Sequence, residues 1–162
     1  MKFFRTLHAL VIPVLLAAAL TGIAGCQSRG DENKVSATPT ELYASIKEQV
    51  ELPEMYEGDA DWLMNNYGID TGKLSDYVFL EGDEVHADRL IILKVKDVSD
   101  MPAIEEKLDN LLGQLSSPEM LSYIPEQAPM IQAASVKKKG DTVYLVISDK
   151  AGQIEGIIEN GL

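Results

Sequence analysis

The sequence predicts an α+β fold, with helices packed on a four-stranded antiparallel sheet as two layers and the sheet built from two hairpins. Three observations carry this. Apolar stripes at helical spacing alternate with short aliphatic runs of strand length. The aliphatic runs fall in pairs joined by turn residues, which makes them hairpins rather than parallel crossovers. The order is therefore helix, hairpin, helix, hairpin, helix, the arrangement of helices laid on an antiparallel sheet.

The first helix opens at Thr38-Pro39-Thr40-Glu41, where Thr38 serves as N-cap, Pro39 takes the first helical position and Glu41 completes a capping box. Leu42, Ile46 and Val50 then form one stripe, and Pro53 stops the helix. A short helix is expected over Asp59 to Asn66, closed near Gly68. The first hairpin pairs Asp76 to Glu81 with Ala87 to Lys96 through Glu81-Gly82-Asp83-Glu84. Leu90, Ile91, Ile92, Leu93 and Val95 are apolar on both parities, as in a central strand or one buried on both faces.

Ser99 or Asp100 caps the next helix, whose face is Ile104, Leu108, Leu111, Leu112 and Leu115. Pro118 starts a further turn or two before Pro125. The second hairpin runs from about Met130 to Lys138 and from Thr142 to Ser148, turning at Gly140-Asp141. The richest strand of each hairpin is its second, so these two pair centrally, in spatial order 1-2-4-3. A last helix carries Ile154, Ile157 and Ile158 and is weakened by Gly152 and Gly156.

Ahead of this domain lies a segment of another kind. Lys2 and Arg5 form a positive start, and Leu7 to Gly25 is almost wholly apolar or small, which reads as a secretory leader too short for a comfortable membrane span. It ends in Ile23-Ala24-Gly25-Cys26, which resembles a lipobox, and Cys26 is the one cysteine of the chain. The expected organisation is a lipoprotein signal peptide over 1–25, a lipidated Cys26 with a polar tether over 26–38, and one globular domain over 39–162. Two acyl chains on Cys26 contribute on the order of 20 kcal/mol of membrane affinity. Twelve tether residues reach roughly 20 Å as a flexible coil. The expected location is thus the extracytoplasmic face of the cell membrane.

Composition narrows the function. The chain has 162 residues, 46% of them hydrophobic, and a net charge of −12; without Lys2 and Arg5 it keeps 12 basic residues against 26 acidic, a net −14. Such a balance excludes nucleic acid as a partner, because phosphate binding needs a positive face. One cysteine excludes an internal disulfide and a Cys-rich metal site. About 124 residues suffice to bury roughly two-thirds of the unfolded surface without crosslinks.

The strings Tyr67-Gly68-Ile69-Asp70, Asp76-Tyr77-Val78, Ile91-Ile92-Leu93-Lys94-Val95-Lys96-Asp97 and Val143-Tyr144-Leu145-Val146-Ile147-Ser148-Asp149 resemble domain of unknown function 4358. That family comprises small lipoproteins, mainly of Gram-positive bacteria. The resemblance spans about Leu42 to Ile158 and implies a single lipoprotein domain; the family carries no catalytic residues to transfer.

No catalytic constellation emerges. His86 is the one imidazole beyond the leader, and Ser135-Val136-Lys137-Lys138 matches Ser-x-x-Lys on a predicted strand, whereas that motif opens a helix and needs Ser-Asp-Asn or Lys-Thr-Gly partners. Glu81, Asp83, Glu84, His86 and Asp88 read as a solvated hairpin tip, with a cation site as the alternative. Glu51, Glu54, Glu57, Asp59 and Asp61 read as a solvated loop; Asp59-Ala60-Asp61 starts like a calcium loop but fails at Leu63 and Met64. Tyr56, Trp62 and Tyr67 read as core, with a sugar-stacking platform as the alternative. Lys137, Lys138 and Lys139 read as edge-strand protection, with a patch for anionic lipid or wall polymer as the alternative.

The sequence therefore predicts a non-enzymatic binding domain of the cell envelope, without catalytic, cofactor or metal residues, whose partners are membrane lipid through acylated Cys26 and an envelope protein. The alternatives are a small-ligand or cation-binding lipoprotein and a carboxylate-based cell-wall hydrolase.

Overall fold

The computed structural model describes residues 36–162. The leader, Cys26 and most of the tether lie outside that range. Six helices and one antiparallel sheet make up the described part, which is α+β as expected. In chain order they are α1 (Pro39–Gln49), β1 (Tyr56–Glu57), α2 (Ala60–Tyr67), β2 (Leu74–Glu81), β3 (Arg89–Val95), α3 (Met101–Leu115), α4 (Pro118–Tyr123), α5 (Ala128–Ala133), β4 (Lys137–Lys139), β5 (Thr142–Ile147) and α6 (Ala151–Gly161).

The sheet runs β1-β2-β3-β5-β4. The four hairpin strands thus stand in the expected order, 1-2-4-3, with β3 and β5 adjacent. A fifth strand is added: β1 pairs with β2, placing Tyr56 opposite Glu81 and Glu57 opposite Leu80. Two residues carry no readable period, so a four-stranded sheet was the most that patterning could predict.

Helices cover both faces of the sheet, which corrects the expected two layers to three. Successive strand residues point to opposite sides. Phe79, Ile91 and Leu145 lie in one cross-strand row and bury in the core that holds Leu63, Ile104, Leu108 and Ile131. Val78, Ile92 and Tyr144 form the next row and bury on the other side with Leu42, Ile46, Ile154 and Ile158. Strands apolar on both parities need a cover on each face, because each large aliphatic left exposed forgoes about 1.5–3 kcal/mol. Helices α1 and α6 supply one cover, and α2, α3 and α5 contribute to the other.

Local signals explain the element ends. Thr38 caps α1 in a full capping box with Glu41, and Asp59 caps α2 through the Trp62 amide. Gly68 closes α2 in the left-handed region at φ 63°, and Gly140 turns the second hairpin at φ 61°. Asp100 stands at the N-cap of α3 without capping it, since its carboxylate pairs with Lys73 at 2.7 Å. The strand expected over Met130 to Lys138 is corrected. Residues Ala128–Ala133 form α5, with proline in its first turn and Ile131 buried, and only Lys137–Lys139 remain as β4. Proline at a helix start costs no hydrogen bond, while inside a strand it removes one. No helix among the described residues is long and apolar enough to cross a membrane.

Candidate functional site

A cleft of about 1150 Å³ opens between β1, α2 and the β2–β3 hairpin loop. Its floor is built from the end of β2. Glu81 is its last residue and the one buried charged residue among the described residues, at 7% exposure. Burial of a carboxylate demands partners, and three are present. Trp62 donates its indole Nε1–H to Oε1 at 2.6 Å, Tyr67 donates its hydroxyl to Oε2, and Arg89 Nε lies 3.7 Å from Oε2.

Each partner is positioned by its own element. Trp62 and Tyr67 project from α2, and the Tyr67 ring packs on Phe79 with centroids 5.0 Å apart. Burial first, and then the bond to Glu81, push the Tyr67 hydroxyl well above its ordinary pKa. Arg89 opens β3 opposite Glu81, and its Nη1 donates to the Asp88 carbonyl at 2.8 Å. Its buried Nε has no hydrogen-bond partner among the described residues. Gly82 lets the hairpin close, because a Cβ there would stand 2.5 Å from the His86 carbonyl oxygen.

The walls differ from the floor. Trp62 is 46% exposed and Tyr56 67% exposed, both large aromatics facing the opening. Glu57, Asp59, Asp61, Asp83 and Glu84 surround them. Asp59 is committed to capping α2, and Asp83 holds the Val85 amide and His86 Nδ1, which keep its carboxyl below the ordinary value. The side chains of Glu57, Asp61 and Glu84 make no hydrogen bond or ion pair among the described residues.

The residues singled out from sequence fare differently. The acidic set Glu81 to Asp88 does not converge. Glu81 is buried in the floor, Asp83 and Glu84 stand at the rim, and Asp88 faces a separate groove with Gln127 and Asp149. Among the described residues no group of three His, Cys, Asp or Glu side chains is placed to hold a metal ion. Ser135 precedes β4, and Lys138 of the Ser-x-x-Lys string is held by Glu105 at 2.6 Å. Lys137, Lys138 and Lys139 occupy the edge strand β4, where Lys137 pairs with Glu155 at 2.9 Å and Lys139 reaches the Glu159 carbonyl at 2.7 Å. All three aromatics line the cleft; Tyr67 is half-buried and packs against the core, while Tyr56 and Trp62 are exposed. Cys26 lies outside the described residues.

Two functional features escaped the sequence. Arg89 carried no signal beyond its place before an aliphatic run. Gln127 clamps the hairpin loop, its Nε2 donating to the Val85 carbonyl at 2.5 Å and its Oε1 accepting from the Ala87 amide at 2.6 Å. A contact over forty residues leaves no local trace.

Comparison with known proteins adds one match. The model of the domain of unknown function 4358 fits residues 48–148, from the end of α1 to just past β5. No curated protein and no solved structure matches the chain.

Proposed function

The chain belongs to the family of the domain of unknown function 4358, and from that premise we propose that it is a lipid-anchored domain of the cell envelope that works by binding rather than by catalysis. The cleft floored by Glu81 is its binding site. The observation that carries this reading is Trp62, a large aromatic fixed by a 2.6 Å bond yet 46% exposed. A rigid exposed aromatic offers contact area at small entropic cost, the usual anchor of a recognition surface. The engagement of both Glu81 oxygens supports binding over hydrolysis, since a general acid must hold its proton toward the substrate.

The anchor rests on Cys26 and its preceding Ile23-Ala24-Gly25. Mass spectrometry of native protein is expected to find Cys26 as an acylated N-terminus, and Cys26→Ser to release the chain after a salt wash. Binding is tested by a photoreactive residue at Asn65 in the cleft, compared with one at Glu106 on α3, in intact membranes. Crosslinking at Asn65 that disappears in Trp62→Ala supports the site. Equal crosslinking at both positions, or none at any growth stage, removes it.

A further inference from the structure

We propose that the cleft takes a basic polypeptide segment, with lysine or arginine side chains seated on Trp62 and Tyr56 between Glu57, Asp61 and Glu84. This rests on the reading of the cleft as a binding site and adds the chemistry of the ligand.

Charge comes first. Six carboxylates line the cleft and Arg89 is the one cation among them, lying 3.7 Å from Glu81 as its counter-ion. The remaining five give the opening a strong negative field, and three have no partner on the protein among the described residues. Clefts with low-dielectric walls concentrate such a field and draw in the opposite charge.

The aromatics sharpen this to an organic cation. Alkylammonium and guanidinium groups are held over the faces of tryptophan and tyrosine by the ring quadrupole. The bond from Nε1 to Glu81 fixes where the indole face points. A bare metal ion gains little from such rings, and no metal-holding group is present among the described residues.

Size and the floor favour a peptide over a small amine. A cleft of about 1150 Å³ exceeds a single side chain and lies just above the usual range of small-ligand sites. Arg89, with only 10% of its side chain exposed, keeps an Nε–H without an acceptor among the described residues. A donor left without an acceptor on a residue that lines the cleft calls for one from outside, and a peptide carbonyl that displaces the atoms covering Nε supplies it.

Trp62 is the only tryptophan of the chain, so its fluorescence reports on the cleft alone. Full-length protein in neutral detergent is titrated with a capped penta-lysine peptide, its Nε-acetylated form, and a neutral N-acetylglucosamine oligomer. The lysine peptide is expected to change Trp62 emission at saturation, and acetylation to weaken binding by about tenfold or more. Raising salt from roughly 50 mM to roughly 500 mM weakens it further. The triple variant Glu57→Gln, Asp61→Asn, Glu84→Gln should lose about tenfold in affinity, and a triple outside the cleft, Glu48→Gln, Glu106→Gln, Glu119→Gln, far less.

Equal losses in the two triple variants, or equal binding of the acetylated peptide, overturn the proposal. A response to the neutral oligosaccharide alone overturns the ligand class and leaves the cleft as a binding site. No response to any of the three overturns the ligand class, and unchanged Asn65 crosslinking in Trp62→Ala membranes overturns the cleft reading itself.

Discussion

Trp62 and Glu81, 19 residues apart in the chain, are joined by a 2.6 Å hydrogen bond from indole to carboxylate. The same carboxylate accepts from Tyr67 and stands 3.7 Å from Arg89. One side chain thus orients two aromatics and neutralises a buried cation. Glu81→Ala strands Arg89 and is expected to cost about 3 kcal/mol, by the usual penalty for breaking one side of a buried pair. Glu81→Gln keeps an acceptor and should cost about 1–2 kcal/mol. Urea denaturation of both variants checks the order, and a Glu81→Ala protein as stable as the parent contradicts the pairing.

Alkaline pH probes the same cluster. Burial, followed by a bond to a carboxylate, raises the hydroxyl pKa of Tyr67 above the ordinary 10.0, and Tyr144 is raised likewise by burial and Glu159. A group whose pKa is raised on folding contributes stability that is present below its unfolded pKa and lost as pH climbs beyond it. Stability should therefore fall steadily above about pH 10, where unfolded tyrosine ionises. Ultraviolet titration is expected to show two of the six tyrosines ionising only as the fold opens. Tyr67→Phe and Tyr144→Phe should each remove one of them.

Gln127 ties the hairpin loop to the start of α5 through Val85 and Ala87. Losing the clamp leaves a carbonyl and an amide without their partner, so Gln127→Ala is expected to cost about 1–2 kcal/mol. Faster hydrogen exchange at the Ala87 amide should accompany it. Unaltered exchange there shows that the loop holds its shape without Gln127.

At acid pH the informative group is Asp76. Burial alone would raise its pKa, but the Thr40 amide and hydroxyl and the Tyr77 amide all donate to its carboxylate and bring it below the ordinary 3.8. Its contribution is present above that unfolded value and is lost as pH falls through the lower folded one. Asp76→Asn should weaken the fold at neutral pH and flatten the acid limb of a pH-stability curve. An unchanged limb assigns the acid transition to Asp83 and Asp97, whose carboxyls are lowered by loop amides.

How far the sequence could be read depended on the length of each signal. Leu90 to Val95 and Val143 to Ile147 are long, aliphatic and double-sided, so their central pairing was visible in advance. Thr38 and Gly140 announced a cap and a turn through fixed local chemistry. The cleft was not legible because it hinges on Tyr56 facing Glu81 in a two-residue strand. That pairing joins two acidic stretches which, taken separately, look like ordinary solvated loops. Glu81 closes the strand expected over Asp76 to Glu81, but its charge put it in a solvated hairpin tip, whereas it lies buried. Met130 and Ile131 suggested a strand by hydrophobicity, and the adjacent proline made a helix start the lower-cost solution.

Strand β2 also sets a direction. Near its beginning, Asp76 receives Thr40, and close by the Ala37 amide reaches the Gly161 carbonyl at 3.0 Å. Five residues on, roughly 17 Å along the strand, stands Glu81. Both ends of the described chain therefore meet at one pole of the domain and the aromatic opening lies toward the other. A sensor-chip linkage made at Leu162 is thus on the side of the domain away from the mouth and leaves the aromatic opening free to bind.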